Sequence, residues 1–477
     1  MSEPWQLTAV DALAKMRAKE LSPLELLTSV QARAEAVEPT VNALTERLDE
    51  AATTAARESE VRYAAGERIR SLEGLPVAIK EEMPVAGWRM RYGSLALDEI
   101  AEHTAPVPER IFAAGAVVHA RTATPEFSCA GYTHSKLWGI TRNPWNPDVA
   151  VGGSSGGSGA SLASGTSMLA SGSDIGGSIR IPASINGVVG YKAPHGRVPT
   201  YQPFNLDRYC HDGAMARTIA DAALFHNVIA GPHALDMTSL RPKLEIPAVL
   251  EGIEGMRIAL SVDLGSWEID EEVAANTRAA ASALEAAGAI VEEVALPWSL
   301  DRIMGAARRH FAAIFGAYIA EVCDAAPDLV TDYAMAWADE VRSMIGEPGA
   351  YLHGLGMEGE LWLPLGEMFE TYDALVCPTW AVTGIPAGDS LIGQLFDDGG
   401  PNDRQFTCYL TTPFNLFSAC PVLAVPSGVA TSNGVPTGLQ IVARTYDDVT
   451  AFRIGAALER LRPWSGLAPF AITGAPA

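Results

Sequence analysis

Apolar positions along the chain follow two periods in turn. Over residues 7–70, leucine, valine and alanine recur every three to four positions, as in LLTSVQARAEAVEP, the spacing that gathers them on one face of a helix. Ser22 followed by Pro23 reads as an N-cap and a first-turn proline. Residues 1–70 are therefore predicted to form a helical arm packed on a core. The period then changes. Short apolar runs follow one another in LPVAIK (75–80), GAVVHART (115–122), MRIALSVD (256–263), AIVEEVALP (289–297), YDALVCPTW (372–380), PVLAVPSG (421–428) and TGLQIVAR (437–444). Buried strands alternating with helical segments predict an α/β fold. No flexible linker or shift of composition divides these runs, so residues 71–477 read as one large domain, continuous with the arm. Within it, residues 298–369 are helical, rich in Met, Trp, Phe and Tyr, and predict a packed layer that could also cover a substrate. No internal repeat is present.

Composition narrows the class. A chain of 477 residues, 48% hydrophobic and 19% charged, suits a globular protein with a large core. Its formal charge is −23, and no Lys/Arg block offers the phosphate neutralisation on which nucleic-acid binding depends. No run of about 18 apolar residues signals a membrane partner, and MSEPWQLTAV lacks the basic start and apolar stretch of a secretion signal. A cytoplasmic protein is expected. Six cysteines (Cys129, Cys210, Cys323, Cys377, Cys408 and Cys420) stand without a CxxC pair, and nine histidines without HExxH, which predicts reduced thiols and no metal.

The segment from Val151 to Pro182, VGGSSGGSGASLASGTSMLASGSDIGGSIRIP, is so crowded with glycine and serine that it reads as neither an ordinary packed helix nor a strand. A linker does not suit its position between strand-like runs or its Asp174, Ile175, Ile179, Arg180 and Ile181. A phosphate cradle would need GK[ST] or GxGxxG, and both are missing. Gly152–Gly156 matches GxSxG, but NPWNPDVAVGG before Ser154 reads as loop, whereas a nucleophile elbow needs a strand there.

Using both serines gives a better account. GGSSGGS followed by SDIGGSIR resembles the signature of the amidase signature family of amide hydrolases. GLPVAIK ending at Lys80 resembles the family's lysine strand, TPEFSCAGYTHSKLWGITRNPWNP (124–147) and GYKAPHGRVP (190–199) the segments flanking the glycine loop, and DALVCPT, NLFSACPVLAVPSG and GVPTGLQIVAR its C-terminal strands. The resemblance implies a mixed central sheet sandwiched by helices. It also implies Ser178 as nucleophile, Ser154 as bridging hydroxyl after a cis Gly153–Ser154 peptide, and Lys80 as base. Ser155 is expected to hydrogen-bond near Lys80, and Asp174 and Arg180 to hold the loop. Gly176 and Gly177 would let the N–H groups of Ile175, Gly176, Gly177 and Ser178 form an oxyanion hole.

Glu81 and Glu82 depart from the family's usual Asp then small polar residue, and a carboxylate close to Lys80 would keep it charged. The amidotransferase branch of the family typically carries an acid seven residues before an Asn that resembles Asn415. Cys408 stands there instead, which favours a stand-alone hydrolase over the A-type component of a Gln-tRNA or Asn-tRNA amidotransferase. Phe127, Tyr132, Trp138, Met83 and Met90, with Trp337 and Trp362, are the expected pocket residues and imply a neutral acyl or aryl group on an amide, ester or carbamate, including urethanes. No cofactor is expected; the sequence leaves the oligomeric state open, a homodimer being one candidate. A catalytically inactive binding protein on the same fold is the alternative of another class; retention of Lys80, Ser154 and Ser178 argues against it.

Overall fold

The computed structural model describes residues 3–345, 348–390 and 407–469. Among these, eleven strands build one mixed sheet, numbered here in chain order: β1 (Leu44–Arg47), β2 (Pro76–Lys80), β3 (Val117–Thr122), β4 (Leu169–Asp174), β5 (Val189–Lys192), β6 (His211–Ala216), β7 (Arg257–Leu260), β8 (Ile290–Glu293), β9 (Ala374–Pro378), β10 (Val422–Val429) and β11 (Pro436–Ala443). Their order across the sheet is β1-β3-β2-β4-β6-β5-β10-β11-β9-β7-β8. All seven apolar runs of the sequence contain a strand.

The sheet is parallel where the chemistry sits. β2 lies between β3 and β4, parallel to both, with Val77 opposite Leu169 and Ala78 opposite Ala170. All five residues of PVAIK are buried, as expected for a strand covered on both faces. Because β2 and β4 run the same way, the carboxyl end of β2 at Lys80 and the loop after Asp174 open at one edge, where open α/β sheets commonly place their sites.

The arm carries Pro23–Val41, which has the foreseen Ser22 N-cap, completed by Glu25 into a capping box, and Pro23 in its first turn, and Asp49–Ala65. Trp5, Leu13, Met16 and Leu26 join the same core as Val77 and Ile79, so arm and sheet share one interior. The arm is not all helix, however. Leu44–Arg47 pairs antiparallel with β3 at the sheet edge, and its half-exposed LTER sequence has no apolar stripe to announce it.

The glycine–serine segment also differs from its reading. Gly156–Ser164 is a helix whose nine residues are all buried, and Leu169–Asp174 is β4. Intrinsic propensity loses here to tertiary contact. Small residues let this helix lie directly on its neighbours: a Cβ at Gly157 would overlap the Ala123 backbone. Residues 298–369 are mostly helical in their described part, comprising Leu300–Phe311, a π-helical turn at Ala312–Gly316, Ala317–Ala325, Asp332–Ile345 and Ala350–Phe369. Their aromatic residues form a second core with Tyr209, Trp380, Tyr409 and Phe414.

Candidate active site

Lys80 ends β2 fully buried, with its backbone N–H on Ser171 Oγ at 3.0 Å. Its Nζ donates to Ser154 Oγ at 2.7 Å and Ser173 Oγ at 2.8 Å, and lies 3.0 Å from Glu82 Oε1. Those three acceptors match the three donors of an ammonium group. Ser154 sits in the loop that enters the helix Gly156–Ser164, and its peptide with Gly153 is cis. Ser178 lies between β4 and the helix Arg180–Asn186, 7% exposed, and its carbonyl accepts from Ser155 N–H at 3.1 Å. That bond ties the Ser154 loop to the Ser178 loop.

Asp174 and Arg180 fix the second loop. Arg180 Nε and Nη2 each reach the Asp174 carboxylate at 2.9 Å, with both side chains fully buried. Asp174 also accepts from Gly177 N–H at 2.8 Å, Ile179 N–H at 3.2 Å and Asn415 Nδ2 at 2.8 Å. Arg180 continues to Gln440 Oε1 at 2.7 Å and Asn415 Oδ1 at 2.6 Å. Burial alone would raise the Asp174 pKa, but the Arg180 charge and these hydrogen bonds outweigh it and hold the carboxyl below its ordinary range. Gly177, with φ of +131°, presses on the Thr411 side chain and leaves no room for a Cβ. Because its N–H is held by Asp174, the expected oxyanion donors narrow to Ile175, Gly176 and Ser178, which line the cavity in front of the Ser178 side chain.

The two glutamates part company. Glu81 turns away from Lys80 and accepts from Arg91 N–H at 3.0 Å and Gly93 N–H at 3.1 Å. Burial pushes its pKa up, against the nearby Arg121 charge. Glu82 turns inward, accepting from Ser173 and Ser128 hydroxyls beside its contact with Lys80. Burial would raise Glu82 too, yet the Lys80 charge and the hydrogen bonds from Ser128, Ser173 and Lys80 hold it below its ordinary value. Ser155, expected to hydrogen-bond near Lys80, accepts from Ser173 N–H and donates to Ser173 O, both at 3.2 Å. Ser173 supplies the second hydroxyl that Lys80 Nζ meets, beside that of Ser154. Its position two residues after Ser171 in a strand was the signal available in the sequence.

The cavity wall is not the one anticipated. In front of Ser178 lies a slot of about 40 Å³, lined by Ile181, Phe311, Phe315, Trp337 and Tyr409 and by Ser128–Gly131. Of the expected pocket residues only Trp337 lines it. Tyr132 is buried, with its hydroxyl on Ser390 O at 2.7 Å; Met83 and Met90 are 3% exposed; Phe127 packs against the second core. Trp138 is half-buried, its carbonyl held by Asn42 Nδ2 at 2.7 Å, and Trp362 packs on Phe369 and Phe417. Cys408 is fully buried in the core, and its neighbour Tyr409 faces the slot. Phe311 and Phe315 reach the site through helix packing across more than 130 residues of chain, which local pattern does not encode.

Residues 25–452 match the profile of the Amidase family. The chain is 33% identical to the A-type component of the glutamyl-tRNA(Gln) amidotransferase of Thermosynechococcus vestitus, covering 94% of this chain and 96% of that one. It is 32% identical to an acylamidase of Rhodococcus erythropolis, covering 97% of each. Among solved structures, a bacterial aryl acylamidase of the amidase signature enzymes superposes with a TM-score of 0.90 at 27% identity, over 99% of both chains.

Proposed function

This chain belongs to the amidase signature family, and from that premise we propose a stand-alone hydrolase in which Ser178 is the nucleophile, Ser154 the proton relay and Lys80 the base, cleaving the C–N bond of a neutral, apolar substrate. The observation that carries the reading is the buried 2.7 Å contact between Lys80 Nζ and Ser154 Oγ, beside the loop that presents Ser178.

An amide carbonyl is a poor electrophile and a neutral serine a poor nucleophile, so the proton must leave as the bond forms. Ser154 passes its hydroxyl proton to Lys80 Nζ and takes that of Ser178, whose Oγ bonds to the carbonyl carbon. The carbonyl oxygen, now an anion, accepts from the N–H groups of Ile175, Gly176 and Ser178. The proton returns through Ser154 to the leaving nitrogen, the C–N bond breaks, and an acyl-serine remains. Water, deprotonated along the same path, releases the acid. Esters and carbamates, urethanes included, fit the same sequence of steps, and none of them calls for a metal or organic cofactor.

The substrate class follows from the slot. No residue lining it carries a charge, so a charged amino-acid substrate finds no charged partner in the slot wall. Phe311, Phe315 and Trp337 face the slot from the helical segment 298–369, so that segment covers an acyl or aryl group bound at Ser178. A role in a tRNA-dependent amidotransferase, whose A-type components match the chain equally well in sequence, is the second reading.

A panel of p-nitroanilides, primary amides, esters, carbamates and glutamine separates them. Anilide or carbamate turnover well above glutamine turnover is expected. Ser178→Ala should abolish turnover and labelling by a fluorophosphonate, whereas Ser154→Ala should keep a small residual rate. Full activity in Ser178→Ala with loss in Ser154→Ala would return the role of nucleophile to Ser154, and absence of labelling in the unaltered protein would make it a binding protein.

A further inference from the structure

The base has a counter-ion built against it. Lys80 Nζ has three polar neighbours, and one of them, Glu82, is a carboxylate 3.0 Å away whose side chain is only 14% exposed. A charge that close in a water-poor site favours the ammonium form of lysine over the amine, the opposite of what proton acceptance needs. Glu82 is also anchored, because Ser128 and Ser173 donate to its two oxygens and Ser173 at the same time accepts from Nζ.

We propose that Glu82 is a positioning residue for the base: with Ser173 it aims Lys80 Nζ at Ser154, and while ionised it keeps Nζ protonated, so that the proton path opens only as the pH rises. The inference rests on Lys80 being the base. In the opening step, Nζ loses one proton to solvent, leaving a neutral amine that can accept the Ser154 proton. The surrounding groups are consistent with this sign. From β4 come the neutral hydroxyls of Ser171 and Ser173, and from the serine loop that of Ser154. From β6 comes Asp212, directly opposite Ser173 in register and therefore on the same face of the sheet. Its carboxyl is pushed up to about 8, by burial first and the Glu82 charge second, with Lys80 opposing. Glu81 is turned to the backbone of Arg91 and Gly93. Cys210, whose thiol burial pushes up, and Tyr92, whose hydroxyl burial raises, also lie within electrostatic reach and stay neutral at pH 7. Glu82 is thus the carboxylate in direct contact with Lys80 Nζ among the described residues.

The test is kcat/KM for an anilide from about pH 6 to about pH 10 in the unaltered protein, Glu82→Gln, Glu82→Asp and Lys80→Ala. The unaltered protein should show a limb that rises with pH. Glu82→Gln should move that limb down by about one unit or more, raising the rate at pH 7, relative to its own alkaline plateau, by about tenfold. Glu82→Asp keeps the charge and should restore a limb near the original. An unmoved limb in Glu82→Gln overturns the proposal, as does an unaltered protein whose rate is already flat from pH 6, a result that needs no variant to fold. If Lys80→Ala abolishes activity while the Glu82→Gln limb stays put, only the role of Glu82 fails. If Lys80→Ala retains full activity, the assignment of the base fails with it.

Discussion

Two ion pairs flank the candidate serines, and they are built on opposite plans. Asp174 and Arg180 are fully buried, and their oxygens and nitrogens meet fixed partners in Asn415, Gln440 and the loop backbone. Lys80 and Glu82 meet hydroxyls instead, those of Ser154, Ser173 and Ser128, which can donate or accept as the proton moves. Arginine does not lose its proton in proteins, whereas lysine does so readily when its surroundings ask for it. One pair is a fixture that shapes the loop; the other can change charge, and a proton-transfer path needs that freedom.

The strongest way to break this contrast is Lys80→Ala. It should lower kcat/KM for an anilide by about 10³-fold, in the range of general-base removal. The loss on a nitrophenyl ester should be smaller, because nitrophenolate leaves without the returned proton. Equal losses on both substrates would mean that Lys80 only supports the fold. Arg180→Met attacks the other pair. It leaves Asp174 charged and unpaired in the interior, so urea denaturation should find a loss of about 3–5 kcal/mol, the usual cost of stranding half of a buried pair. Activity should fall with the loop it shapes. A variant as stable as the original would show that Asp174 is held by the amide groups alone.

Asp212→Asn gives the smallest effect and the finest discrimination. The folded-state value of Asp212, about 8, lies above its ordinary 3.8. Its protonated form therefore favours folding below pH 4, and that contribution is lost progressively as the pH rises through about 8. Asparagine keeps the shape without the titration. The Tm advantage of Asp212→Asn over the unaltered protein should grow by a few degrees from pH 5 to pH 9, and a constant difference would mean that Asp212 ionises as it does in water.

The parts legible in the sequence and the parts that were not divide along the same physical line. Local signals were read correctly: the Ser22–Pro23 helix start, and the seven apolar runs that each hold a strand. What escaped was decided by contacts far along the chain. β1 has a polar edge sequence, and β4 and β6 (LASGSD and HDGAMA) are rich in small and polar residues where helices pack on the sheet. The helix Gly156–Ser164 exists because its neighbours bury it. Lys80 and the serines could be placed from motif spacing, but which of Glu81 and Glu82 faces the lysine depends on the path of the turn after β2, which carries one carboxylate to Arg91 and Gly93 and the other to Ser173.

The π-helical turn at Ala312–Gly316 bears on how such an enzyme could change its diet. Phe311 and Phe315, two of the aromatic residues that line the slot, stand at and within this turn, and an i to i+5 turn holds one residue more than an α-helical one. Deleting a single residue between Phe311 and Phe315 would restore regular winding, leave the flanking turns near their present orientation and change the spacing of the two rings from four residues to three. The wall of the slot would change while every residue on the sheet edge kept its place. Insertion and deletion in the cover, rather than point substitution near the serines, is thus a short mutational route to a different acyl group, and a library of one-residue length variants across 311–316 would sample it directly.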